Sequence, residues 1–385
     1  MNKRIRISRR FPRTTAPAVD LLEPRQLLSA ARFSAVTESL RHHHATVVEM
    51  SRHVHHAPAT VSAAAPSSAA PSPATSTSFH LVKQFNNASL SGTAAIADND
   101  IWAVGGSNSQ PLAVHFDGKN WSAVPTPTIN HVATFAGVAA VASNDVWAVG
   151  YQSVGSSKDE PLIERWDGTS WSVVSSPNLS NGGALLAVTA ISANNVWAVG
   201  LFDDLSGALV EHWDGTRWSV ASSPAFARIQ VVAGISADAG NDIWAVTNSP
   251  TVLHFDGTNW SQVHTSNEPR YGFISLKGIT ALSPTDVWAV GEGKFCSGCR
   301  PAGLTWDWDG TSFKRFTNQS FGLQAVSAIS ASSIWAVGFD IEHWNGTSWT
   351  SVSGMPNGVS GLDGVSTLSD GTVVIVSSSG AILEN

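Results

Sequence analysis

From residue 79 onward the apolar side chains arrive in short runs, each stopped by Asp-Gly, Asn, Ser or Pro, with no spaced stripe of the helical kind. Residues 185–222 show the unit. Leu185–Ser192 predicts an inner strand A, Val196–Leu201 a strand B and Ala208–Trp213 a strand C. Between A and B, Asn194-Asn195 predicts a tight turn, because Asn tolerates left-handed backbone angles. Asp214-Gly215 predicts a two-residue type I′ hairpin, which needs positive φ at both central residues. Thr216–Ser222 then reads as strand D, stopped by Pro224, which cannot donate to a continuing ladder.

The unit recurs along the chain. Its first tryptophan falls at Trp102, Trp147, Trp197, Trp244, Trp288 and Trp335, at spacings of 45, 50, 47, 44 and 47 residues. A period of that length with four short strands per unit predicts an all-β propeller, one blade per repeat. The hairpin signal returns at Asp117-Gly118, Asp167-Gly168, Asp256-Gly257, Asp309-Gly310 and Asn345-Gly346. Strand A is rich in small residues, as in Gly137–Ala142, which is what converging inner strands require at a crowded axis. The tryptophan after each hairpin (Trp121, Trp171, Trp218, Trp260 and Trp349, with Phe313 substituting) belongs to the wider, outer part of the wedge. Burying one such side chain is worth ~4–6 kcal/mol before entropy, so these rings read as core rather than as a sugar platform. His115, His212, His254 and His343 recur at one place in strand C and read as scaffold too.

Six written copies leave a remainder at each end. Leu362–Leu368 reads as a seventh strand A, Val373–Ser377 as its strand B, and 380–385 as a strand C. The missing strand D is Phe79–Phe85, just ahead of the first strand A at Gly92–Ala97. The expectation is therefore seven four-stranded antiparallel blades, the last completed by the N-terminal strand, which leaves no broken edge.

Tight turns A–B and C–D share one face of such a ring, and the B–C and D–A loops form the other. Those loops alone vary in length and chemistry. They collect Tyr151, Asp159, Glu160, Phe202, Asp203, Asp204, Arg270, Tyr271 and Arg300, with His131 and Lys294. Unlike polar and aromatic groups on a rigid scaffold mark a binding face. Cys296 and Cys299 form a lone C-x-x-C in one of these loops. A redox pair would open a helix in a thioredoxin-like unit, and zinc needs about four ligands, so a local disulfide is the reading taken. No cofactor and no metal site are expected.

Charge divides the chain in two. Residues 1–78 carry ten Lys or Arg against four acids, while the remainder holds 12 basic and 25 acidic residues within a total of −7. A body so acidic repels phosphate backbones, which argues against nucleic acid as a partner. No stretch approaches the ~20 apolar residues of a membrane helix, and a monomer is expected. Residues 42–56 hold six histidines (His42, His43, His44, His53, His55 and His56). They could gather a transition metal, but a segment without a core loses entropy for every ligand ordered, so a solvated tail is the reading taken. Residues 57–78, with four prolines and Val61 as the one large apolar group, read as an extended linker, giving a basic leader over 1–41, a linker over 42–78 and the propeller over 79–385.

The leader lacks an apolar core for a standard secretory signal but contains Leu22-Glu23-Pro24-Arg25-Gln26-Leu27-Leu28-Ser29. This resembles the L-E-P-R-x-L-L motif of surface and exported proteins of planctomycete bacteria; the resemblance implies an extracellular or cell-surface location. Over 79–385, W-A-V-G…W-D-G-T-x-W resembles the propeller repeats of many exported bacterial proteins. Its D-G-T-x-W piece resembles the aspartate boxes of sialidase-like propellers, and D-x-x-x-W-A-V resembles tectonin-type lectin repeats. These resemblances imply fold more than activity, since propellers host unrelated functions.

Two functions compete. One is a non-enzymatic surface protein that binds a protein or glycan partner through the variable face. The other is a glycan-processing hydrolase or lyase on the same face, with Asp159, Glu160, Asp203 and Asp204 supplying the paired carboxylates that such chemistry needs. Sialidase-type sites require an arginine cluster and a tyrosine nucleophile. Arg217 falls on the tight face, which leaves Arg228, Arg270 and Arg300, and no acid pair is set toward the axis. Binding is the favoured reading.

Overall fold

The computed structural model describes residues 78–155, 158–264, 273–294, 301–317, 321–353 and 355–385. The leader motif, the histidine tract, the linker, Arg270, Tyr271, the Cys296–Cys299 pairing and Arg300 all lie outside the described residues.

Every blade is a four-stranded antiparallel sheet, and there are seven. Blade 3 consists of Ala184–Ser192, Asn195–Leu201, Ala208–Trp213 and Trp218–Val220, in that spatial order. Blade 7 takes Leu362–Thr367, Val373–Ser377 and Ala381–Glu384 from the C-terminal end and His80–Gln84 from the N-terminal side, so the two ends close the ring as expected. The closing strand pairs His80 with Glu384 and Gln84 with Ala381, and Phe79 packs edge-on against Trp335 of blade 6 at 5.6 Å.

Each inner strand carries a bulge at one place, between Leu90 and Gly92 in blade 1 and between Leu185 and Ala187 in blade 3. The residue after the bulge is Gly or Ala in all seven blades for a steric reason. A Cβ on Gly92 would stand 3.3 Å from the Cα of Gly137, and one on Gly278 would stand 3.0 Å from the Cα of Ala325. Neighbouring inner strands thus touch backbone to backbone around the axis. The bulge also drives strand A over the last residue of W-A-V-G: a Cβ on Gly200 would overlap the carbonyl oxygen of Ala184.

Blades are joined by interlocked aromatics. Trp147 of strand B in blade 2 is fully buried and meets Trp213 at 5.1 Å and Trp218 edge-on at 5.5 Å, both from blade 3. The strand C histidines stack on the strand B tryptophan of their own blade, His212 on Trp197 at 4.2 Å and His254 on Trp244 at 4.1 Å. Their Nε2 atoms meet the first residue of strand B, Asn195 at 3.0 Å and Asp242 at 2.6 Å. The histidines are scaffold, as their recurrence predicts.

The turns differ from expectation. Trp213 pairs with Trp218, so Asp214–Arg217 is a four-residue loop rather than a two-residue type I′ hairpin, and strand D starts two residues later than predicted. Only Gly215 has positive φ, at 94°. Asp214 acts through its side chain: Oδ1 accepts from the backbone N–H of Thr216 at 2.8 Å and of Arg217 at 2.9 Å, and from Thr216 Oγ1 at 2.6 Å. These bonds favour the ionised acid and hold its pKa down at about 2. Asn194 is not left-handed either; it packs beneath Gly215, where a Cβ would come within 2.6 Å of its own Cβ. That contact puts the A–B and C–D turns on one face. A left-handed pair does occur on the opposite face, at Asn108 and Ser109 (φ 50° and 64°).

Candidate functional site

The opposite face gathers most of its unusual chemistry where blades 2 and 3 meet. In blade 2 the B–C ladder continues well past the ring, pairing Tyr151 with Pro161 and Ser153 with Asp159. Tyr151 therefore sits in strand B (Asp145–Val154) and Asp159 and Glu160 in strand C (Lys158–Trp166), none of them in a loop, a correction to the sequence reading. Residues alternate sides along a strand, so Trp147, Val149, Tyr151 and Ser153 face blade 3 together.

Blade 3 meets that ladder with its own B–C turn, 202–207. Phe202 packs onto the core between the blades, while Leu205 takes positive φ (55°) and donates its N–H to the Phe202 carbonyl at 2.9 Å. This turn aims Asp203 back at blade 2, where Oδ2 accepts from the Asp159 N–H at 2.6 Å. Ser153 Oγ donates to Asp159 Oδ1 at 2.6 Å, and the Gly183 N–H donates to the Asp159 carbonyl at 2.9 Å. Gly182 fills the gap in left-handed conformation (φ 69°); a Cβ there would overlap Asp203 Oδ2 and the Asp159 carbonyl. Three segments thus meet at one point with no room for a larger residue.

Burial and crowding of like charge set the protonation states. Burial pushes Asp203 up to about 6, opposed by the Asp159 N–H bond and assisted by the Asp159 charge. Burial also raises Asp159, against the bond from Ser153. Tyr151 is pushed up to about 12 by burial and by the Asp159 charge. Its phenol therefore stays protonated at neutral pH.

The predicted set divides cleanly. Tyr151, Asp159, Phe202 and Asp203 are brought together. Asp204 stands at the rim, where Oδ2 accepts from Asn181 Nδ2 at 3.0 Å. Glu160 is committed to an exposed ion pair with Lys158 at 3.1 Å. Lys294 belongs to blade 5 and Arg228 is exposed on the loop between blades 3 and 4, so neither joins the cluster. Ser153, Lys158, Asn181 and Gly182 complete the site and were not singled out from sequence. The signal for them was the unusual length of the blade 2 hairpin and the Asn181-Gly182-Gly183 run facing it. Among the described residues no group of three or more His, Cys, Asp or Glu could hold a metal ion, and no helix is long and apolar enough to cross a membrane.

Solved structures match this architecture across most of the chain. YCF48 bound to D1 peptide is 14% identical with a TM-score of 0.57, covering 80% of this chain and 96% of that one. The WD40 propeller domain of Doa1 is 13% identical at 0.58, covering 80% and 97%. A streptogramin B lyase structure is 14% identical at 0.57, again covering 80% and 97%. The likeness is one of fold. No family model matches the chain, and no curated protein does. The similar folds include a peptide complex, a WD40 domain and a lyase, so the architecture by itself leaves binding and catalysis both open.

Proposed function

We propose that the chain is a non-enzymatic binding propeller, exported or held at the cell surface, that captures a protein or glycan partner through the face of B–C and D–A loops. The observation carrying this reading is the blade 2–3 cluster: Asp203 bonds the Asp159 backbone across the two blades, Ser153 holds the Asp159 carboxyl, and Tyr151 faces blade 3 beside them. A preorganised patch of acceptors beside a phenol suits hydroxyl-rich or cationic groups of a partner. That YCF48 has been seen with a bound peptide supports the use of such a ring as a binding platform. The test is a screen of the full chain against a glycan array and a panel of basic and neutral peptides. Selective binding that Tyr151→Ala and Asp203→Asn each weaken is the expected result. Binding that survives both substitutions moves the site elsewhere.

The catalytic alternative, a glycan hydrolase or lyase, draws on one observation: Asp203 changes protonation near pH 6 beside a second carboxyl, as an acid–base pair would. Turnover of any glycan that disappears in Asp203→Asn would replace the binding reading.

A further inference from the structure

The axis of the ring holds a second set of polar groups that the loop face does not use. A channel of about 210 Å³ runs between the inner strands, lined at each blade by the small residue after the bulge and by its neighbours. The bulge position itself is not uniform around the ring. Blades 2 to 4 place Ala136, Leu186 and Ala233 there, and the next blades in order place Lys277, Gln324, Asp363 and then Ser91. One arc of the channel is therefore aliphatic and the other polar.

Lys277, Gln324 and Ser91 make no side-chain hydrogen bond or ion pair among the described residues, whereas Asp363 has an interaction of its own. Lys277 is half-buried; that burial lowers its pKa, and the charge of Glu292 opposes the shift. A half-buried ammonium, an amide and a hydroxyl around one cavity match the needs of an anion. The nearby acids Asp363 and Glu292 oppose a multiply charged oxyanion, so a single negative charge fits better. The aliphatic arc opposite suits a hydrocarbon body of a few carbons.

We propose that the axial channel binds a carboxylate carried on a short aliphatic body, with Lys277 as its charge partner, Gln324 and Ser91 as donors, and Ala136, Leu186 and Ala233 as the wall for the body. The site is separate from the blade 2–3 cluster and does not depend on its role. The carboxylate can come from a free small acid or from the end of a polypeptide.

Calorimetric titration of the full chain tests this with three probes: N-acetyl-leucine, its neutral amide, and the peptide Ala-Ala-Ala-Leu with a free C-terminus. The expected result is binding of N-acetyl-leucine that weakens roughly tenfold or more for the amide and for Lys277→Met, since a charge-assisted bond is lost in each. Lys277→Arg, which keeps the charge, is expected to retain part of the affinity, and it serves if Lys277→Met does not fold. Peptide binding of equal strength assigns the site to chain ends, and exclusion of the peptide assigns it to free acids. The proposal is overturned if neither acid binds, if the amide binds as well as the acid, or if Lys277→Met has no effect. Loss of N-acetyl-leucine binding in Tyr151→Ala would also overturn it, by moving the acid to the loop face.

Discussion

The two faces of this ring are built from the same strands yet obey different rules. On the tight face blades 1 to 6 repeat one device: an Asp or Asn side chain caps the four-residue turn, and a left-handed Gly sits on the neighbouring A–B turn. On the variable face no two blades agree, and polar side chains bond across blades, as Asp203 does to Asp159. One face spends its polar chemistry on local closure. The other has polar groups to present outward, and for that reason function is sought there. Between the faces lies a third case. Blades 2 and 3 carry the same strand C glutamate, but Glu211 receives the Ser176 hydroxyl at 2.9 Å while neither oxygen of the buried Glu164 has a partner. The repeat copied the acid without copying its donor.

The comparison can be broken at several points. Removing residues 79–86 strips strand D from blade 7 together with Phe79, and both faces depend on that closure. It is expected to cost ~5 kcal/mol or more, or to abolish cooperative unfolding, as measured by thermal and urea melts. A truncated ring that melts like the parent would mean that the closing strand is dispensable.

Glu164 comes next. Burial pushes it up to about 8, whereas the unfolded carboxyl loses its proton near the ordinary glutamate value of 4.5. Between those values the folded chain holds the extra proton, so stability is fully present below about pH 4.5 and falls as pH rises toward 8. Glu164→Gln should remove this slope and stabilise the protein at pH 8 by a few kcal/mol, on the order of the shift converted to energy. A melting temperature with the same pH dependence in both proteins would refute the assignment. Glu211, pushed up to about 7 by burial and restrained by Ser176, should show the same behaviour more weakly.

A single substitution on the tight face is expected to be smaller. Gly215→Ala forces a Cβ into left-handed backbone against Asn194 and should cost about 1–3 kcal/mol without altering partner binding. The least effect on stability is expected on the variable face, where Tyr151→Ala and Asp203→Asn should each lower the unfolding free energy by about 1 kcal/mol or less yet weaken binding. Because Asp203 ionises near 6, binding of a cationic partner should strengthen as pH rises through that value, and Asp203→Asn should flatten the profile. If the tight-face variant impairs binding and the loop variants only unfold the protein, the division between faces fails.

Much of the fold was legible from sequence because blades are local objects. Strand lengths, turn positions and the small residues of strand A are set by neighbours within one repeat, and Leu362–Thr367 and His80–Gln84 fell where the pattern put them. The turn type was misjudged because Asp-Gly reads as a two-residue hairpin until the side-chain bonds of Asp214 are seen. The site was only half legible. Tyr151, Asp159 and Asp203 stood out as residues that break the repeat, but Gly182 and Ser153 gained meaning only from what they touch.

The sequence by itself determined the number of blades, the closure of the ring and the face on which the chain stops repeating, since each follows from period and turn chemistry read along the backbone. Tertiary structure alone decided that Asp203 bonds a backbone 44 residues away, that Glu164 lacks the donor given to Glu211, and that Lys277, Gln324 and Ser91 share one channel. Those relations join different blades. Their distances exist only once the ring has closed and the bulges have set every inner strand at the same height.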